Sequence, residues 1–86
     1  MKFLFSSQFK KQFEKFSSKV QARVGERLQV FENDEFHPAL NNHKLHGEYA
    51  KYRSINVGGN MRIVYRKVDS KTCFFVAIGS HTKLYD

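Results

Sequence analysis

Apolar residues recur along this chain in two rhythms, and the switch between them divides it. Lys2 to Phe5 reads as a short strand. Phe9, Phe13 and Phe16 then recur at i, i+4 and i+7, with Lys10, Lys11, Glu14 and Lys15 between them. That spacing predicts an amphipathic helix with one aromatic stripe, capped by Ser6 or Ser7, whose hydroxyl accepts from a free N–H of the first turn. Ser17 and Ser18 interrupt it and can cap a second helix, in which Val20, Val24, Leu28 and Phe31 keep the helical spacing to about Glu32. Two helices joined this tightly form a helical hairpin. Asn33-Asp34-Glu35 and His37-Pro38 end it, and His37, which precedes the single proline, is read as a loop residue.

From Gly47 the period becomes two. Arg53, Ile55 and Val57 face one way, and Tyr52, Ser54 and Asn56 the other. Gly58-Gly59-Asn60 signals a hairpin turn. The next strand runs from Met61 to Val68, with Arg62, Val64 and Arg66 on one face and Ile63 and Tyr65 on the other. After a turn at Asp69-Ser70-Lys71, the nearly all-apolar run from Cys73 to Ile78 predicts a central strand covered on both faces. The expectation is a single α+β domain over residues 1–86, ordered strand-helix-helix-strand-strand-strand. An antiparallel sheet would carry the helical hairpin on one face.

Composition adds a direction. The 86 residues carry a net charge of +7 and a pI near 9.8. Residues 1–43 hold seven Lys/Arg against five Asp/Glu, and residues 44–86 hold eight against three. The excess of +2 in the first half and +5 in the second points to a polyanionic partner for the second half. Nine Phe and four Tyr offset the small core that so short a chain can build. Cys73 is the only cysteine, so an intramolecular disulfide is excluded and a reducing cytoplasm is the expected compartment. There is no Cys/His zinc pattern, no metal or other cofactor is expected, and no segment approaches a membrane span. The apolar run at Met1–Phe5 stops at Ser6, too short for the core of a signal peptide.

The chemistry-bearing residues gather in the basic half. His43 and His46 lie in a polar segment before a strand, His81 lies just after one, and Arg62 projects from the strand between them. Histidine can take or give a proton near neutral pH, and arginine presents a planar fork of donors that stays charged. A base, a cation and an acid are what RNA cleavage by its own 2′-hydroxyl requires without a metal. Each residue also has a plainer role: a loop histidine bonded to its surroundings, or an Arg62 paired with Glu48 or Asp69.

Four stretches tip the balance: Asn42-His43-Lys44-Leu45-His46-Gly47, Tyr52-Arg53-Ser54-Ile55, Met61-Arg62-Ile63-Val64-Tyr65, and Ile78-Gly79-Ser80-His81-Thr82-Lys83-Leu84-Tyr85. In order and spacing they resemble the RelE/ParE superfamily of bacterial toxins, and within it the YafQ-like messenger-RNA interferases. The resemblance implies ribosome-dependent endoribonuclease activity, and a cognate antitoxin, acidic in its toxin-binding segment, that silences the toxin. Messenger RNA on the ribosome and ribosomal RNA are the other implied partners. Carried over by position, His43 matches a base or substrate contact, Arg62 the arginine on the scissile phosphate, and His81 the general acid. Tyr85 matches a terminal aromatic that stacks on a base. Lys44, His46, Lys51, Arg53 and Arg66 would hold the RNA, and Lys10, Lys11, Lys15, Lys19, Arg23 and Arg27 could touch ribosomal RNA. Some YafQ-like members carry a further histidine and an aspartate where this chain has Asn56 and Asn60, which cannot exchange protons at neutral pH. Two other readings stay open: a toxin of the same fold without nuclease activity, as in the gyrase-directed ParE branch, and a basic RNA-binding module without catalysis.

Overall fold

The computed structural model describes residues 1–80. Strand β1 (Lys2–Phe5) leads into helices α1 (Ser7–Glu14) and α2 (Ser18–Asn33), followed by strands β2 (His43–Lys44), β3 (Arg53–Asn56), β4 (Met61–Asp69) and β5 (Thr72–Ser80). Short 3₁₀ turns at Pro38–Leu40 and Gly47–Tyr49 flank β2. Both serine caps form as the sequence predicts. Ser6 Oγ accepts from Phe9 N at 2.9 Å and donates to the Val76 carbonyl at 2.8 Å, which ties the start of α1 to β5. Ser17 Oγ accepts from Val20 N at 3.3 Å. Gln21 Nε2 donates to the carbonyls of Phe13 and Phe16, so α2 satisfies the orphaned end of α1 and fixes the hairpin.

The sheet order is β1-β5-β4-β3-β2. The α+β class and the placing of the two helices agree with the sequence, but three details differ. First, β1 lies parallel to β5, with Lys2 opposite Thr72 and Phe5 opposite Phe75, so the sheet is mixed. A period-two pattern reports which face a residue takes and is silent on strand direction. Second, His43–Lys44 adds a two-residue edge strand against β3. Third, the centre of the sheet is β4, in which Arg62 to Tyr65 are buried consecutively, whereas β5 alternates buried with half-buried positions. One face of β5 packs on the helices; the other borders an open groove.

The core is aromatic. Phe31 of α2 meets Tyr65 edge-on at 4.9 Å between ring centroids, and Phe75 stacks on Phe5 at 5.3 Å and meets Phe3 edge-on at 5.0 Å. Pairs of this kind each add about 0.5–1.5 kcal/mol beyond burial. Ile55, Ile63, Ile78, Val24 and Leu40 fill the space around them. At the β3–β4 turn, Asn56 Oδ1 accepts from Gly58 N at 2.8 Å and Val57 N donates to the Met61 carbonyl at 3.0 Å. Gly58 has φ +112°, and a Cβ there would come within 2.5 Å of Arg23 Nε, so both backbone and packing favour glycine. Among the described residues no helix is long and apolar enough to cross a membrane.

Candidate functional site

The hairpin register decides what surrounds Arg62. Counting outward from the Gly58-Gly59 turn, Asn56 lies opposite Arg62 and Ser54 opposite Val64, while His43 lies opposite Ser54 on the other side of β3. Ser54, Arg62 and His43 therefore share the face turned away from α2. Arg62 is only 6% exposed. Its Nε donates to Ser54 Oγ at 2.6 Å, and its Nη2 donates to the carbonyls of Asn41 at 2.9 Å and Ser54 at 3.2 Å. Neither Glu48 nor Asp69 pairs with it, and among the described residues no carboxylate does. A buried cation is stable only when its donors are met, and here neutral oxygens meet them and leave its charge uncompensated. Nη1 has no partner among the described residues and is not a buried unsatisfied atom, so it is the nitrogen left open to an incoming group.

His43 is exposed beside this guanidinium. Its Nδ1 lies 3.1 Å from the Asn41 carbonyl and 3.3 Å from Arg62 Nη2. Both hydrogens of Nη2 are already directed to carbonyls. The arrangement therefore calls for Nδ1 to carry the imidazole proton and donate to Asn41, which leaves Nε2 with its lone pair facing solvent. That is the form a general base requires. Asn41 can offer its carbonyl this way because it adopts the left-handed conformation, at φ 44° and ψ 52°, one that Asn tolerates better than most residues.

The other expected site residues divide. Arg66 is on the face of Arg62, further along β4, with its guanidinium over the Phe74 ring at 5.6 Å. Lys51 and His46 are exposed, and His46 precedes the Gly47–Tyr49 turn without capping it. Lys44 and Arg53 lie opposite each other and on the face away from Arg62. Arg53 does not join the site: its Nε donates to Asn42 Oδ1 at 2.8 Å and its guanidinium covers the Phe36 ring at 5.1 Å. The reason is parity, since Arg53 and Ser54 are neighbours on one strand and only Ser54 can face Arg62. His81 and Tyr85 lie outside the described residues. His37 accepts from Ala39 N at 3.0 Å and serves the loop, as its place before proline predicts. Asn56 is occupied with the turn, through Gly58 N and the Gly59 carbonyl.

Three contributors escape a reading of the sequence by residue chemistry. Ser54 looks like filler in a strand, although counting from the turn puts it beside Arg62. Asn41 acts through its carbonyl, which side-chain chemistry does not reveal. A groove of about 890 Å³ runs over the same face, between Gln12, Lys15 and Phe16 on one side and Tyr49 and Tyr52 on the other. Val64 and Gly79 line it, the first two residues from Arg62 on β4 and the second opposite Arg62 in register. Among the described residues no three His, Cys, Asp or Glu side chains gather where they could hold a metal ion.

The fold has close relatives among solved structures. YafQ from E. coli strain BL21(DE3) superposes with a TM-score of 0.80 at 17% identity, covering 98% of this chain and 97% of that one. The YoeB/ParE toxin from Agrobacterium tumefaciens also gives 0.80, at 18% identity over 94% and 99%. The toxin–antitoxin complex RelBE2 from Mycobacterium tuberculosis gives 0.75, at 20% identity over 93% and 96%. No curated protein sequence matches the chain significantly. The family profile described as the bacterial toxin of a type II toxin–antitoxin system, YafQ, matches residues 1–86 throughout. The buried arginine, the exposed histidine beside it and the sheet that carries them thus belong to a member of the YafQ family of type II toxin–antitoxin toxins.

Proposed function

We propose that this toxin is a ribosome-dependent endoribonuclease that cuts messenger RNA through its own 2′-hydroxyl. One observation carries the reading: a buried guanidinium with no carboxylate partner among the described residues, beside an exposed imidazole whose outer nitrogen is free to take a proton. A phosphodiester supplies the missing anion. Its non-bridging oxygens would accept from Arg62 Nη1, and negative charge building in the transition state would strengthen that contact. His43 Nε2 would remove the 2′-hydroxyl proton as the oxygen attacks phosphorus. The P–O5′ bond breaks and the leaving oxygen takes a proton, a task assigned to His81. The products are a 2′,3′-cyclic phosphate and a 5′-hydroxyl end. His46, Lys51 and Arg66 would hold the RNA backbone, and Tyr85 would stack on a base, while Lys44 shares the far face with Arg53. Arg53, committed to Asn42, is assigned to the scaffold.

Such a reaction places the protein in the cytoplasm with the ribosome. Its partner would be an antitoxin, as in the RelBE2 complex, with an acidic segment that covers the basic second half of the chain. Mapping messenger-RNA ends in a translating extract tests the function. Codon-phased cuts bearing 5′-hydroxyl ends are expected. Intact message under conditions where translation or gyrase is nonetheless inhibited would overturn the proposal in favour of a binding toxin.

A further inference from the structure

The segment that carries His43 is weakly held by the sheet. Strand β2 has two paired residues, lies at the edge and is exposed. A two-residue edge strand does not fix a side chain to the tolerance that proton transfer needs. What fixes it lies on the opposite face. Asn41 is left-handed and His43 opens the edge strand, and between them the Asn42 side chain reaches the helix side. There its Nδ2 donates to the Tyr65 hydroxyl at 2.7 Å and the Glu35 carbonyl at 3.0 Å, while its Oδ1 accepts from Arg53 Nε at 2.8 Å. The Tyr65 hydroxyl donates to Glu35 Oε2 at 2.7 Å, and Lys67 Nζ donates to Glu35 Oε1 at 2.9 Å. Both Nδ2 hydrogens of Asn42 and its Oδ1 are engaged, and the Tyr65 hydroxyl is an acceptor here because it donates to Glu35, so the amide cannot rotate without breaking one of these bonds.

We infer that Asn42 and Tyr65 are positioning residues for His43, acting through the hydrogen-bonded chain Glu35–Tyr65–Asn42–Arg53 to hold the Asn41 carbonyl where it fixes the imidazole tautomer. The chain is set into the rigid centre of the molecule. Tyr65 is fully buried on β4 against Phe31 and Phe75, and its hydroxyl reaches the β2 segment through Asn42. With Asn42 held, the Asn41 carbonyl stays under both Arg62 Nη2 and His43 Nδ1. Without it, the segment is free to turn, and His43 loses the acceptor that keeps its proton on Nδ1. This inference rests on the proposed role of His43 in cleavage, but its first test does not.

The experiment uses the whole toxin with Tyr65→Phe, which keeps the ring and removes the hydroxyl, and Asn42→Ala. Val24→Ala on α2 serves as a control that loosens the core away from the segment. The ¹⁵N shifts of the His43 ring report its tautomer in the isolated protein, whether or not it cuts RNA. Wild type and Val24→Ala are expected to show one dominant Nδ1–H form, and both network variants a mixture. On ribosome-bound message, the single-turnover rate at saturation should fall about 10- to 100-fold in both network variants, with half-saturation unchanged within about twofold. If both variants keep the wild-type tautomer, the inference is overturned. A tautomer change without a change in rate overturns the catalytic role of positioning. A wild type that cuts nothing overturns the proposed function and leaves the tautomer result to decide the structural inference.

Discussion

Arg53 and Arg62 grip the same short segment from opposite faces of the sheet: Arg62 Nη2 bonds the carbonyl of Asn41, and Arg53 Nε bonds the side chain of its neighbour Asn42. One strand step separates the two contacts, and that step separates a reacting side from a supporting side. The two arginines resemble each other as charges, yet their surroundings give them different work. Arg53 spends its guanidinium on Phe36 and Asn42, whereas Arg62 keeps one terminal nitrogen open.

Arg62→Lys should therefore lose both activity and stability. An ammonium cannot reach Ser54 Oγ, the Ser54 carbonyl, the Asn41 carbonyl and a phosphate together. Leaving those buried acceptors unmet is expected to destabilise the fold by about 1–3 kcal/mol. Loss of the phosphate contact should cost about a further 2–4 kcal/mol of transition-state stabilisation. Urea unfolding and single-turnover cleavage measure the two separately. A lysine variant that cuts at the wild-type rate would remove Arg62 from the phosphate.

The sequence announces the helices, the β3–β4 hairpin and the two faces of β4, because each rests on local periodicity or turn chemistry. Arg62 and His43 stand out for the same reason, as reactive side chains in a basic half. An open sheet face was the natural expectation for Arg62, since Val64 and Arg66 share its side. Instead it is buried, because Ser54 and the left-handed Asn41 close over it, and both act through long-range register and backbone carbonyls. The separation of Arg53 from Arg62 needs the register as well as the alternation: Arg53 and Ser54 take opposite faces, and the pairing of Asn56 with Arg62 puts Ser54 on the face of Arg62. The parallel pairing of β1 with β5 was not legible, since it depends on how the helical hairpin returns the chain to the far edge of the sheet.

Two glycines separate backbone strain from simple entropy. Gly25 lies inside α2 with open space where a Cβ would stand, so Gly25→Ala should stabilise the protein by about 0.5–1 kcal/mol and leave cleavage unchanged. Gly58 sits at φ +112° against Arg23, so Gly58→Ala should destabilise it by about 1–3 kcal/mol. Thermal unfolding of the pair checks the contrast. Equal effects at the two positions would contradict the turn geometry.

Alkali should weaken this fold. Burial raises the Cys73 thiol above its ordinary 9.0 and raises the Tyr65 phenol well above 10.0, with Glu35 adding to the latter. The hydrogen bond to Glu35 raises Lys67 above 10.5. In all three cases the native state keeps a proton that the unfolded chain gives up, so the stabilisation is complete below the ordinary values and falls as pH rises through the folded ones. Unfolding free energy is expected to decline from about pH 9 upward, first through Cys73 and then through Tyr65 and Lys67. Tyr65→Phe should shallow that decline above pH 10 while lowering stability at neutral pH by about 1–3 kcal/mol. A Tyr65→Phe curve parallel to wild type throughout would show that the phenol does not contribute to the linkage.

The two proposed proton carriers can be told apart by the leaving group. Removing the proton from the 2′-hydroxyl is needed whatever leaves, so His43→Gln should slow cleavage about 10²–10⁴-fold on any substrate. His43 is exposed, so the change should move stability by less than about 0.5 kcal/mol. His81→Gln should slow cleavage of ordinary RNA by a similar factor, because the 5′-oxygen leaves poorly without a proton. A 5′-thio substrate changes only the second case, since a thiolate departs without protonation. The thio substrate should restore most of the rate to His81→Gln and none to His43→Gln. Rescue of both variants would mean that neither histidine takes the 2′ proton, and rescue of His43→Gln alone would exchange their roles. If His81→Gln cuts ordinary RNA normally, the acid is another group, and exposed His46 becomes the next residue to replace.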